Sequence, residues 1–489
     1  MSDRSIADKI LKSSIWTYLG GWSNKLIGFV STLILARILL PDDFGVVATA
    51  SIVTGLFNVI TSLGTSQYLI RKKELVSSDL NTAWTVKLIM MSVSSVGLYL
   101  SAIPVSEFMG DERLVLVIQV LSISPLISGF QNIGTVYLAR SYNYRPGFIL
   151  GITGRIIGLL VKIFLALHLL NYWAFIIAEF FEILISVIGS YVIHSYRPRF
   201  SLAKVKEQWA FSQWILLKGI FVYMRYRIDT ICISKLLPAD SLGIYTISQD
   251  VATLPAGQII SPIMGPLYVG LSSVNDQPEL FADKVHKTIA MLFLVLFPIS
   301  FGTYAIAENI VVVLLGEKWV GAVPIIMVLA FNLIPGTFSN FLTKVMTAMG
   351  RVKLIFAFEV LFSLMTFTSF MLLVSSMSLV DIAMLRVGMI MFNTIVLLGI
   401  LSLVSSLSFF RITSLMIIPL VSSLCMMLLI FNINPFILIF PPNIQILIQI
   451  ITGAIVYIIL VSLFIFLMHS RVKEYEFIWK TFYGYFISV

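Results

Sequence analysis

The sequence predicts an all-α polytopic membrane protein with about fourteen transmembrane helices, arranged as two six-helix lobes in parallel repeat followed by two further helices. Three observations support that class. The 489 residues are 58% hydrophobic and only 12% charged, with mean hydropathy +0.99, whereas an ordinary soluble domain is ~25% charged. Apolar runs long enough to cross a bilayer recur along the whole chain. A turn sequence near the start also returns in the middle, as duplicated membrane proteins show.

In chain order the runs fall near 14–36, 44–67, 82–104, 114–138, 147–168, 172–193, 212–235, 241–267, 287–307, 321–349, 353–375, 379–404, 411–432 and 444–468. All read as helices, and the connections between them are mostly short. With the N-terminus placed in the cytoplasm, twenty of the 33 Lys and Arg residues fall on inner segments and only four, Arg37, Arg113, Lys235 and Lys318, on outer loops. That bias places both termini inside. The charged start, Met1 to Lys12, leads into a long apolar span without a small-residue cleavage site, so the first helix is expected to be retained.

The turn Leu39-Leu40-Pro41-Asp42-Asp43-Phe44-Gly45 is echoed by Leu236-Leu237-Pro238-Ala239-Asp240-Ser241-Leu242-Gly243, with one residue inserted. Six helices separate helix 1 from helix 7. The two therefore cross in the same direction, and the repeat is parallel. The expected division is an N-terminal lobe over 1–206, a C-terminal lobe over 207–410, and helices 13 and 14 with a cytoplasmic tail over 411–489.

The net charge of +9 does not point to nucleic acid, because the basic residues are scattered between apolar runs rather than gathered into a stripe. Cys232 and Cys425 lack any metal or disulfide spacing, and the four histidines form no cluster. No cofactor, metal or catalytic constellation is expected. Asp42-Asp43 sits in a tight outer turn with no carboxylate to work with.

Charges inside the spans are costly and therefore informative. Nine bases, Lys25, Lys87, Arg155, Lys162, Lys218, Arg225, Arg227, Lys344 and Arg386, face five acids, Glu179, Glu182, Asp229, Asp250 and Glu359. Lys87 and Lys218 lie close enough to their cytoplasmic ends to snorkel. Lys162 with Glu179 and Glu182, and Lys344 with Glu359, sit at matched depths on neighbouring helices and read as structural ion pairs. Lys25 and Arg225 lie near mid-membrane on the first helix of each lobe, where snorkelling is hardest. With Arg227 they form the candidate cationic site. Polar stripes run along helix 1 (Ser14, Tyr18, Gly21, Gly28, Thr32), helix 2 (Ser51, Thr54, Asn58, Thr61, Thr65) and helix 8 (Thr246, Asp250, Thr253, Gly257, Ser261). Singly such stripes are helix-packing faces. Together, Thr54, Asn58, Asp250 and Thr253 mark a candidate polar cleft, and Asp229 and Asp250 are candidates for ion coupling.

With these residues assembled, the chain resembles the Wzx-type oligosaccharide flippases of the MATE-like transporter superfamily, nearest their WzxC-like branch. The resemblance runs over essentially the whole length. It rests on Ala36-Arg37-Ile38-Leu39-Leu40-Pro41-Asp42-Asp43-Phe44-Gly45, Asp229 with Leu242-Gly243-Ile244-Tyr245, Leu315-Gly316-Glu317-Lys318-Trp319 before Pro324, and Met349-Gly350-Arg351-Val352-Lys353. The family's Phe-Pro near the end of helix 8 stands here as Gly265-Pro266. The resemblance implies a multi-pass protein of the bacterial inner membrane that exports an undecaprenyl-diphosphate-linked saccharide repeat unit by alternating access. Its partners would be membrane lipid and the polymerase and glycosyltransferases of exopolysaccharide, O-antigen or capsule synthesis. A drug antiporter of the same superfamily would want a net acidic cavity, and a saccharide polymerase or ligase a substantial outer loop. The charge excess and the short loops argue against each.

Overall fold

The computed structural model describes residues 3–61, 68–70, 72, 74–259, 270, 271, 274, 276–470 and 472–482, and among these there is no strand. The helices are α1 (Asp3–Ile38), α2 (Pro41–Thr61), α3 (Ser77–Met109), α4 (Arg113–Gly129 with Ile133–Arg140), α5 (Arg145–Leu169), α6 (Trp173–Ile193), α7 (Val205–Leu236) and α8 (Ala239–Ile259). They continue with α9 (Pro278–Ala305), α10 (Glu317–Ala330 with Leu333–Ala348), α11 (Val352–Leu373), α12 (Leu379–Val404), α13 (Phe409–Ile437), α14 (Pro442–Met468) and α15 (Lys473–Phe482). Each of the fourteen runs read from the sequence has a counterpart in α1 to α14.

Among the described residues, nine helices are long and apolar enough to cross a membrane, and eleven if each bent pair counts as one span. The protein is a multi-pass membrane protein. Two of the expected straight helices are bent, α4 by 59° and α10 by 41°. In α4 the bend falls at Asn132, whose side-chain oxygen accepts from the Gly134 amide at 2.9 Å and so offers the backbone an alternative to the helical ladder. The rest of the expected run 44–67 beyond Thr61, and of 241–267 beyond Ile259, lies outside the described residues.

Local chemistry fixes the helix ends. Pro41 has no amide hydrogen to give, so α1 stops before it and α2 starts on it, with Asp43 accepting from the Leu40 amide at 3.0 Å. At α3, Asp79 accepts from the Val76 amide at 3.1 Å, and Gly110 ends the helix at φ 76°, a left-handed conformation that glycine adopts without strain. At α12, Ser378 and Asp381 cap each other.

The chain packs into two compact units, Met1–Thr246 and Ile247–Val489. In the first, α5 and α6 form a close hairpin, α1 lies along α5, and α7 lies along α2 and α3. Among the described residues two small apolar clusters hold it, one around Val46, Leu98, Val117 and Ile176, the other around Leu80, Trp84 and Ile133. The second unit has one large core built on α9, whose Phe293, Phe297 and Phe301 meet Phe331, Phe338 and Phe341. The amphipathic α15 closes that unit by burying Tyr475 and Ile478 against α9 and α14.

Candidate functional site

The echoed turns meet within the first unit. A Cβ on Gly45 would lie 1.7 Å from the Ala239 carbonyl oxygen, and one on Gly243 would lie 1.9 Å from the Pro41 carbonyl oxygen. Only glycine lets the two backbones approach so closely, and each turn supplies one. Below the turns α2 and α7 stay in register: Thr49 and Ser234 share a buried hydroxyl hydrogen bond of 2.8 Å, and the Tyr223 hydroxyl donates to the Ile52 carbonyl at 2.7 Å. Side chains brace the turns from outside. Arg113 grips Asp42 and Asp111, Asp43 accepts from the Tyr172 amide at 3.0 Å, and Lys235 donates to the Phe108 carbonyl.

Asp229 belongs to this arrangement. It is fully buried, accepting from the Tyr245 hydroxyl at 2.8 Å and from the Thr230 amide at 2.9 Å. One carboxylate thereby ties α7 to the start of α8. Arg225, half-buried, has its guanidinium 5.0 Å from the Tyr226 ring, and Arg227 lies by the Tyr223 hydroxyl. Lys25 is exposed on α1. Because α1 packs along α5 while α7 packs along α2 and α3, Lys25 and Arg225 lie on helices with different neighbours.

The polar stripes partly satisfy themselves. The hydroxyls of Thr61, Thr246 and Thr253 donate to carbonyls one turn back, at Phe57, Leu242 and Gln249. Thr54 reaches the Ser51 carbonyl at only 3.5 Å, while Asn58, Asp250 and Thr253 are exposed. Asp250 and Thr253 lie in the second unit. Thr65, Ser261, Gly265 and Pro266 lie outside the described residues, as do the side chains of Ser14, Lys218 and Gly257.

The α5–α6 hairpin holds a larger charge cluster than the sequence suggests. Lys162 pairs with Glu182 at 3.8 Å, not with Glu179, and Arg155 reaches the other Glu182 oxygen at 3.7 Å. Gly158 decides this, since a Cβ there would lie 2.2 Å from Glu182 Cγ, leaving a notch that admits Glu182. Arg155, Gly158 and Lys162 share one face of α5, a signal present in the sequence that identifies Arg155 as the third member. Lys87 does not snorkel outward. Its ammonium donates to Gln131 at 3.0 Å, and Gln131 donates to Ser186 at 3.2 Å. Lys344 and Glu359 lie half-buried on α10 and α11.

Within the first unit, α1, the break of α4, α5 and α6 line an open cavity of about 650 Å³. Asn24, Gln131, Asn143, Arg155, Glu179 and Glu182 supply its polar wall. Among the described residues no group of three or more His, Cys, Asp or Glu side chains could hold a metal ion.

Comparison with known proteins agrees with this fold. The chain is 24% identical over 328 residues to the succinoglycan biosynthesis transport protein ExoT of Rhizobium meliloti, a match covering 67% of this chain and 66% of that protein. It is 20% identical over 364 residues to the lipopolysaccharide biosynthesis protein WzxC of Escherichia coli, covering 73% of each. In structure it superposes on the lipid II flippase MurJ in an inward closed conformation with a TM-score of 0.75 at 14% identity, over 93% of this chain and 98% of that one. These relatives are named for transport and biosynthesis of polysaccharides, and the structural neighbour is a flippase. The family model described as polysaccharide biosynthesis protein matches residues 34–324, more than half of the sequence, and the chain belongs to that family.

Proposed function

We propose that the protein is a flippase, not an enzyme, moving a polyprenyl-diphosphate-linked oligosaccharide repeat unit across the bacterial inner membrane by alternating access. The observation that carries this reading concerns the three of α1 to α14 that, among the described residues, fall outside the eleven lipid-grade spans. They are α1, α7 and α8, the helices that bear Lys25, Arg225, Arg227, Asp229 and Asp250. A helix that polar must face water or a polar ligand rather than lipid. In this reading Lys25, Arg225 and Arg227 receive the diphosphate, Thr54, Asn58, Asp250 and Thr253 border the path of the saccharide, and the polyprenyl chain stays in lipid. Arginine can hold a phosphate with two parallel donors, whereas lysine acts as a point charge.

The repeat divides the chain into lobes 1–206 and 207–410 with helices 13 and 14 appended at 411–489, and both termini lie in the cytoplasm. The paired turns then close the outer face, and they must separate for release on that side. Asp229, held by Tyr245, and exposed Asp250 are the two coupling candidates. The excess of nine intramembrane bases over five acids suits an anionic lipid headgroup better than a cationic drug. Polymerase and glycosyltransferases of the same pathway are the expected partners.

The test is delivery of lipid-linked repeat units to the outer leaflet at equal protein level. Lys25→Arg should keep much of the activity, Arg225→Lys should keep less, and alanine at either position should abolish export. Near-normal delivery by the double alanine variant would overturn the assignment.

A further inference from the structure

We infer that the cavity bounded by α1, the break of α4, α5 and α6 is a binding site for the saccharide part of the substrate, separate both from the residues assigned to the diphosphate and from the four that border the saccharide's path. This rests on the flippase reading above. The cavity's 650 Å³ falls within the roughly 300–1,000 Å³ of small-molecule sites.

Its glycines are the first argument. Glycines on these helices do two different jobs. At Gly158 and Gly189 an added Cβ would lie 2.2 Å from Glu182 and 2.1 Å from Leu150, so those glycines serve helix packing. At Gly21, Gly147 and Gly151, which line the cavity, an added Cβ would meet nothing within 4 Å. Glycine is a poorer helix former than alanine, and packing gives no reason for it at these three positions. What these glycines preserve is the open space.

The wall chemistry is the second argument. The amides of Asn24 and Asn143 each offer both donor and acceptor, as the hydroxyls of a sugar require, while Gln131 is engaged with Lys87 and Ser186. Arg155 is half exposed, with a side-chain accessibility of 50%, and Glu182 remains 22% accessible, so the pair can be reached from the cavity. At one end the rings of Trp16 and Phe148 lie 5.0 Å apart and tilted, an aromatic surface suited to the C–H face of a pyranose.

Charge balance then selects the ligand. Of the charged side chains that line the cavity, Arg155 stands against Glu179 and Glu182, one base against two acids. A diphosphate needs an excess of positive charge, whereas a polyol does not. The saccharide is the part of the substrate that fits.

The experiment uses the full-length protein in lipid nanodiscs and two probes: undecaprenyl diphosphate, and the same lipid carrying the oligosaccharide extracted from the producing cells. Wild type should bind the sugar-bearing lipid more tightly. Gly147→Leu and Gly151→Leu should each weaken that binding by at least about tenfold and leave the sugar-free lipid unchanged. Asn24→Ala removes an exposed amide without adding bulk, so it decides the matter if the leucine variants are poorly folded. Unchanged preference in a well-folded variant, or altered proton uptake with the preference intact, overturns the inference. If wild type binds both lipids equally, the saccharide site is wrong and the flippase reading stands. Binding of neither lipid refutes both.

Discussion

The two compact units use the same kind of helix for different ends. In the second, α9 buries more than half of its most apolar stretch and organises one continuous aromatic core. In the first, α5 and α6 bury only 11% and 17% of theirs, the apolar clusters are small, and buried polar groups tie the helices together. Asn132, 1% exposed, donates to the carbonyls of Ser190, His194 and Tyr196, and Asp79, fully buried, accepts from Lys72 at 2.6 Å. Lipid tails are as apolar as leucine, so in a membrane burying an apolar side chain gives little by itself and cohesion comes from close packing and interhelical hydrogen bonds. The second unit relies mainly on packing. The first relies on directional bonds, and these leave room for a polar cavity.

The largest effect expected from this contrast is in the aromatic core. Phe293→Ala should destabilise the second unit by about 3 kcal/mol, the lower end of the usual cost of a buried Phe truncation because lipid removes part of the transfer term. Phe164→Ala, on the exposed side of α5, should cost less than about 0.5 kcal/mol. Thermal unfolding in detergent compares the two, and equal losses would erase the distinction.

Next is the hydrogen-bonded core of the first unit. Asn132→Ala strands buried carbonyls and should cost about 1–3 kcal/mol. Asn132→Asp, which keeps the size but loses the donors, should fare no better. A stable alanine variant would mean that packing, not hydrogen bonding, holds the break of α4.

The charge cluster on α5 and α6 should respond less. Breaking an isolated buried pair costs about 3–5 kcal/mol, but after Lys162→Ala the Glu182 carboxylate still has Arg155 at 3.7 Å. Abundance should therefore fall clearly only in the variant that also carries Arg155→Ala. A full loss from Lys162→Ala alone would show that Arg155 does not compensate.

Glycines give the smallest and most discriminating comparison. Gly45→Ala forces a Cβ into the Ala239 carbonyl and should cost about 1–3 kcal/mol. Gly151→Ala, in the interior of α5, enters empty space and should stabilise by about 0.5–1 kcal/mol through helix propensity. Opposite signs in a melting experiment confirm the two uses of glycine, and equal signs remove the distinction.

The pair between Lys72 and Asp79 should show no alkaline sensitivity near neutrality. The hydrogen bond to Asp79 raises the lysine above its ordinary value of 10.5. A raised lysine contributes its stability fully below that ordinary value and loses it only as pH climbs through the raised one. Melting temperature between about pH 7 and 9 should therefore be unaffected by Lys72→Met relative to wild type in slope, though not in level.

By itself the sequence determined the class, the order of the helical runs, the turns at Pro41 and Pro238, and the repeated motif, because hydropathy and proline act locally along the chain. It also marked α1, α7 and α8 as the helices with charges to account for. Only the tertiary structure decided which groups meet. Glu179 and Glu182 lie one turn apart on the same face, and the notch at Gly158, not the spacing, selects Glu182. The repeated glycines at 45 and 243 make sense only when the two turns face each other, and the Thr49–Ser234 bond beneath them joins residues 185 positions apart. The cavity likewise comes from the bend in α4 and from the way α1, α5 and α6 pack around it, where Gly21, Gly147 and Gly151 leave the space open. Contacts of that kind depend on how helices rotate and bend against one another, which no local pattern of residues encodes.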